Sequence, residues 1–207
     1  MRTAGRVSDA ARAAGYAVLR RAPRPRLAVR HAYWALQQRK YGALAKSIAT
    51  EARTVLFEAY GGRSYACSPK ALYQEMLGDE RFAGCELVWA FREGAVPSDE
   101  PDLEHATIVK RGSSAYFETL ARAGCIVVNN RLPEYVYPKD DQVYVQCWHG
   151  TPLKRLGYDV EIEMESALNT TNELAERFGM DARKWTHLLS PSPYASKHPA
   201  DAFGLPL

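Results

Sequence analysis

Between residues 53 and 190 the chain alternates short, nearly continuous apolar runs with segments that carry helix signals. This alternation restricts the fold more than any other feature. Residues 54–58 (TVLFE), 86–91 (ELVWAF), 107–109, 125–129 and 142–148 read as strands, and 185–190 as a sixth. Strands apolar on both sides of the pleat need cover on both faces, which parallel strands joined by helices provide. Ser68 and Pro69 read as the N-cap and first position of a helix over 70–77. Ser113 and Ser114 cap a helix running to about residue 123, and 161–178 reads as helical. The expected fold is α/β, a doubly wound, mostly parallel sheet over 51–207 behind a basic helical leader, 1–50.

The leader holds eleven Lys/Arg and one acid, Asp9, a local charge of +10, whereas the remainder carries −7. Pro23 and Pro25 break it in two, with a helix-prone Ala-rich stretch over 9–21 before them. After the break Tyr33, Leu36, Tyr41, Leu44 and Ile48 fall on one helical stripe, with Arg30, Arg39, Lys40 and Lys46 mostly elsewhere. Two readings stay open: a helix packed on its own domain, or a basic amphipathic segment lying on an anionic membrane surface. An organellar transit peptide or a nucleic-acid-binding arm are minor alternatives, and no base-stacking aromatic motif supports the last, so no nucleic-acid partner is expected. No run of apolar residues is long enough to span a bilayer, and the first residues lack a secretory h-region.

Ligands in such sheets gather at the carboxyl ends of strands. The loops at 60–68, 129–138 and 149–157 stand there, and they concentrate the polar residues and glycines. His149 directly follows an apolar strand. Gly150 allows close backbone approach. Thr151-Pro152 can open a helix whose amides face an anion, and Lys154 and Arg155 add positive charge one turn later. A base beside an anion-binding corner is the chemistry these residue types allow. A lone histidine is more often structural, but this setting favours a functional one.

The run Trp148-His149-Gly150-Thr151-Pro152-Leu153-Lys154 closely resembles the most characteristic motif of the CDP-glycerol glycerophosphotransferase family. Residues 56–69 (LFEAYGGRSYACSP) resemble the same family's first loop, and the Trp89 strand, the Ser113/Tyr116 helix start and the 129–138 loop recur in order over roughly 53–204. The resemblance implies a Rossmann-like domain, the N-terminal half of a GT-B architecture. It implies a transferase that moves glycerol phosphate from CDP-glycerol to a glycerol-phosphate polymer or lipid-linked acceptor in teichoic acid synthesis. His149 would be the general base. Gly61, Gly62, Arg63, Ser64, Gly150, Thr151, Lys154 and Arg155 would bind substrate phosphates, the glycine turn through backbone amides. The nucleotide would sit in a second domain that these 207 residues are expected to lack, leaving the chain inactive alone. The expected location is the cytoplasm, peripheral on the inner face of the cell membrane. The rival reading is a non-catalytic module that keeps the fold and binds a polyanion or a partner.

No metal or other cofactor is expected, because the acids do not cluster with histidine at ligand spacing. Cys67, Cys85, Cys125 and Cys147 form no CxxC pair and read as buried free thiols in a reducing cytoplasm.

Overall fold

The computed structural model describes residues 23–149 and 171–190, together with Ser192, Pro193, Ser196 and Phe203. Helix α1 (Pro23–Ser47) leads into β1 (Glu51–Glu58). There follow α2 (Cys67–Gly78), β2 (Glu86–Phe91), β3 (Thr107–Lys110), α3 (Ser114–Arg122) and β4 (Ala123–Val128). The last elements are β5 (Val143–Gln146), α4 (Thr171–Ala182) and β6 (His187–Leu188). Among the described residues the six strands make one sheet, ordered β3-β2-β1-β4-β5-β6, with every neighbouring pair parallel. This is the expected doubly wound α/β architecture.

Side chains alternate between the faces of a strand, and here both faces are buried. Leu56, Val88 and Ile126 face one layer with Tyr116 and Leu120 of α3. Val55, Phe57, Leu87, Trp89 and Val127 face the other with Tyr65 and Tyr73. The second layer is dominated by aromatic rings. Trp89, wholly buried, stacks on Phe57 and Phe91 and meets Tyr65 and Tyr73 edge-on. Burial on both faces is why these strands read as continuous rather than alternating apolar runs.

Several local expectations shift. Ser113 caps α3 as expected, its Oγ accepting the Tyr116 amide at 3.2 Å. Ser68 does not cap α2: the helix starts at Cys67 behind Ala66, so the serine lies inside the first turn. Strand β6 is only two residues long, and Thr186 Oγ1 takes the Tyr144 amide just before it. Of the cysteines only Cys147 is buried; Cys85 and Cys125 are half-buried, and Cys67 is exposed because it begins a helix at the sheet's rim. The helix-prone stretch 9–21 and most of the helix expected over 161–178 lie outside the described residues.

The apolar stripe of the leader divides. Tyr41 and Ala45 are buried in the core and Ile48 packs against it, with Tyr41 edge-on to Phe117 of α3. The last turns of α1 thereby belong to the folded domain. Val29, Tyr33 and Leu36, nearer the start of α1, are exposed. No helix among the described residues is long and apolar enough to cross a membrane.

Gly124 faces the irregular stretch of β1, where pairing jumps from Glu51↔Ala123 to Val55↔Cys125. A Cβ at Gly124 would lie 2.7 Å from Ala52 Cα and 2.8 Å from Glu51 O, inside ordinary van der Waals separation. Gly124→Ala should therefore destabilise the fold by about 1–3 kcal/mol, the cost of overpacking. Trp89→Ala should cost about 3–5 kcal/mol. Urea unfolding of both variants checks this, and a Gly124→Ala midpoint equal to the parent's would contradict the close approach.

Candidate active site

Strands β2, β1, β4 and β5 all end at one rim of the sheet, and the strand order reverses between β1 and β4. The loops leaving these two strands diverge there and leave a crevice, the usual ligand position in such sheets. Tyr60, two residues beyond β1, donates its amide to Asn129 Oδ1 across the crevice at 2.7 Å. Asn129 follows β4 directly and is wholly buried. Gln146, wholly buried at the end of β5, donates Nε2 to Asn130 O at 3.3 Å and accepts the Trp148 amide at 2.9 Å. Buried amide side chains thus tie three strand exits into one frame.

His149 is exposed at the mouth of this frame. Its ring stacks on Trp148, with centroids 5.4 Å apart and planes 4° from parallel, and lies 5.4 Å from the Tyr60 ring. Phe203 supports Trp148 from the side. An imidazole flanked by two aromatic rings has a fixed approach direction and keeps contact with solvent, as a base that must exchange protons requires. Three non-glycine residues around it, Tyr60, Cys67 and Trp148, take left-handed φ values of 50°, 64° and 53°. Such conformations cost on the order of 1–3 kcal/mol each and cluster at functional sites.

The loop after β1 is held from below. Gly62 and Arg63 both donate their amides to Ala59 O, at 2.9 and 3.2 Å, and Gly62 O accepts the Arg92 amide. A Cβ at Gly62 would meet Arg92 N and Arg111 Cδ at 3.0 Å, so this glycine serves packing against the end of β2. Those two amides are turned into the loop, and an anion here would meet side chains instead. Arg63 is exposed and Ser64 half-buried. Beneath the loop Glu58, almost wholly buried, accepts from Arg111 Nε at 3.0 Å and from Tyr116 Oη at 2.9 Å. Burial pushes the Glu58 carboxyl up, against the pull of Arg111 and the Tyr116 hydroxyl. Burial also works against a Cys67 thiolate, but the Ser68 amide and the Tyr60, Asn129 and Ser68 side chains outweigh it, and the thiol sits below its usual range. The buried Cys147 thiol is pushed up to about 12.

The structure brings His149, Gly61, Gly62, Arg63 and Ser64 to one rim. Gly150, Thr151, Lys154 and Arg155 lie outside the described residues. Sequence reasoning passed over Tyr60, Asn129, Gln146 and Arg92. A glutamine inside an apolar strand and an Asn-Asn pair at a strand's end were the available signals. Among the described residues no three His, Cys, Asp or Glu side chains converge on a point where a metal could sit.

The chain has relatives of known structure and known reaction. It is 33% identical over 154 residues to the teichoic acid poly(glycerol phosphate) polymerase of Staphylococcus epidermidis, covering 73% of this chain and 20% of that protein. The Bacillus subtilis polymerase is 32% identical over 155 residues, 74% of this chain and 20% of that protein. The chain thus spans about a fifth of the length of these two relatives. The fold superposes on a variant of the wall teichoic acid polymerase TagF soaked with CDPG, with a TM-score of 0.71 and 28% identity, covering 87% of this chain and 44% of that one. The sequence profile of the CDP-glycerol:poly(glycerophosphate) glycerophosphotransferases matches residues 42–206, and the chain belongs to that family.

Proposed function

We propose that these residues form the acceptor-side domain of a glycerophosphotransferase, with His149 as its general base. An acceptor glycerol hydroxyl attacks the phosphorus that carries the donor glycerol. The new P–O bond forms as the bond to CMP breaks, the proton passes to the His149 imidazole, and CMP leaves. A hydroxyl is a weak nucleophile at neutral pH, so a positioned base matters; the rest is orientation and neutralisation of phosphate charge. Gly61, Arg63, Ser64, Gly150, Thr151, Lys154 and Arg155 stand as the phosphate-binding set, with Gly62 packing the loop against the end of β2, and CDP-glycerol would occupy a second domain. The single observation that carries this reading is the exposed His149 ring between Trp148 and Tyr60 at the crevice. The TagF structure soaked with CDPG supports the choice of donor.

The test is turnover of CDP-glycerol with a matching nucleotide-binding domain supplied beside this chain. His149→Ala and His149→Gln should both remain folded, keep acceptor binding within a few-fold and lose turnover together, by about 10²–10⁴-fold. Glutamine keeps a hydrogen bond but cannot take the proton. Near-parental turnover in His149→Gln would defeat the base assignment even if His149→Ala were inactive.

The acceptor of this reaction is a glycerol-phosphate polymer or a lipid-linked chain, and the protein works against the anionic inner face of the cell membrane. The exposed Val29, Tyr33 and Leu36 on α1 and the +10 charge of residues 1–50 support this placement. Each basic residue near such a surface contributes about 1 kcal/mol, less at higher salt. Vesicles of anionic phospholipid should co-sediment the full chain at low salt and release it at high salt. Unchanged binding after removal of residues 1–40, which leaves the core residues Tyr41 and Ala45 in place, would refute this attachment.

A further inference from the structure

One exposed cation at the crevice lies outside the phosphate-binding set above. Arg92 follows β2 directly and reaches back across the loop after β1, donating Nε to Gly61 O at 2.9 Å. Its Nη2 lies 3.6 Å from the point where a Cβ on Gly61 would stand. Asn130 Nδ2, arriving from the exit of β4, lies 3.6 Å from the same point. The two donors come from opposite sides of the strand-order reversal and lie within twice that distance of each other.

Their other atoms are already committed in ways that aim these donors. Asn130 Oδ1 accepts the Arg131 amide at 2.8 Å and its backbone carbonyl accepts from Gln146, which holds the side chain with Nδ2 toward Gly61. Arg92 is anchored by its own Nε and by its amide to Gly62 O. Among the described residues Arg92 forms no ion pair with a carboxylate. The nearby buried Glu58 is held by Arg111, and Glu93 by Lys110. A third donor stands behind these two: Asn129, wholly buried, gives Oδ1 to the Tyr60 amide while its Nδ2, facing Cys67, finds no well-formed hydrogen bond among the described residues. Partly free donors from an arginine and an asparagine over one glycine, with a buried asparagine donor behind them, match the oxygens of a tetrahedral oxyanion.

We propose that Arg92 Nη2 and Asn130 Nδ2, converging over Gly61, form a subsite for a phosphate monoester or diester beside His149. The inference rests on the reading that this crevice takes a phosphate-bearing acceptor, and it names the side chains that hold the phosphate next to the attacking hydroxyl. The Gly61–Gly62 turn then acts as the floor on which the two donors rest, and the Gly62 amide, bonded to Ala59 O, takes no part. Arg92 contributes charge and Asn130 direction. The ligand class is a glycerol phosphate unit, and the shared chemistry with free phosphate is separated by the arms of the test.

The experiment is a titration of the 15N-labelled 207-residue chain with glycerol 3-phosphate, with inorganic phosphate and with sodium chloride at matched ionic strength. Expected are saturable shifts at the Gly61 amide, the Asn130 side-chain amide and Arg92 Nε–H with both phosphates, tighter for glycerol 3-phosphate, and none with chloride. Asn130→Asp keeps the acceptor for Arg131 but puts a negative charge where the donor was, and it should weaken binding by about tenfold or more. Arg92→Lys keeps the charge and loses the fork, and Arg92→Gln loses both. Binding should fall stepwise in that order, with circular dichroism confirming each fold. Absence of saturable shifts in the parent would overturn the subsite, as would parental affinity in folded Asn130→Asp and Arg92→Gln. These outcomes are independent of the base assignment. Parental turnover in His149→Gln with intact phosphate binding removes the base and keeps the subsite, whereas the converse pair of results removes the subsite and keeps the base.

Discussion

Every feature of the site depends on one constraint of parallel pairing. Two parallel neighbours cannot be joined by a tight hairpin, so each connection must cross back over a face of the sheet. All strands therefore leave the sheet at the same rim, and the loops that follow them collect there. The chain builds β1, β2 and β3 outward in one direction, then places β4 on the free side of β1. The crossovers cover both faces, and the loops after β1 and β4 lead away in opposite directions, which opens a gap at the reversal.

What fills that gap is a set of amide and guanidinium side chains bonded to the backbone of a neighbouring loop. Asn129 holds Tyr60, Gln146 holds both Asn130 and Trp148, and Arg92 holds Gly61. Each joins strand exits that are distant in sequence, and the Gln146 and Asn129 side chains are fully buried, where an unmade hydrogen bond costs most. Glu58 with Arg111 and Tyr116 extends the same frame beneath the loop after β1. Rigid placement of an exposed histidine follows from this support, since among the described residues the imidazole meets only the rings of Tyr60 and Trp148.

The strands were legible in the sequence because hydrophobic periodicity is local: 86–91 was read with the bounds that β2 has, and β1, β3 and β4 within a few residues. The order of the strands was not, because nothing in a single run of Val and Ile says which neighbour it will take. His149 stood out because a titratable residue directly after an apolar strand is unusual. Asn129, Tyr60 and Arg92 did not, because each is an ordinary polar residue in its own segment, and their roles arise from partners as far as 69 residues away. Ser68 misled for a related reason. Its sequence fits a cap, but the helix starts at the left-handed Cys67, two residues before the position that cap implies. The leader stripe was half core and half surface, a division set by where α3 lies rather than by any residue in α1.

The left-handed backbone at Tyr60, Cys67 and Trp148 has a bearing on how such a protein responds to selection. Glycine would relieve the strain at each position, so a library sorted for heat resistance alone is drawn toward glycine at all three. Those same changes delete the two rings that flank His149 and the thiol beside them. Thermostability and the geometry of the crevice therefore pull in opposite directions at three known residues. A stability screen that uses no substrate at all can trace the outline of the candidate site by the glycines it enriches.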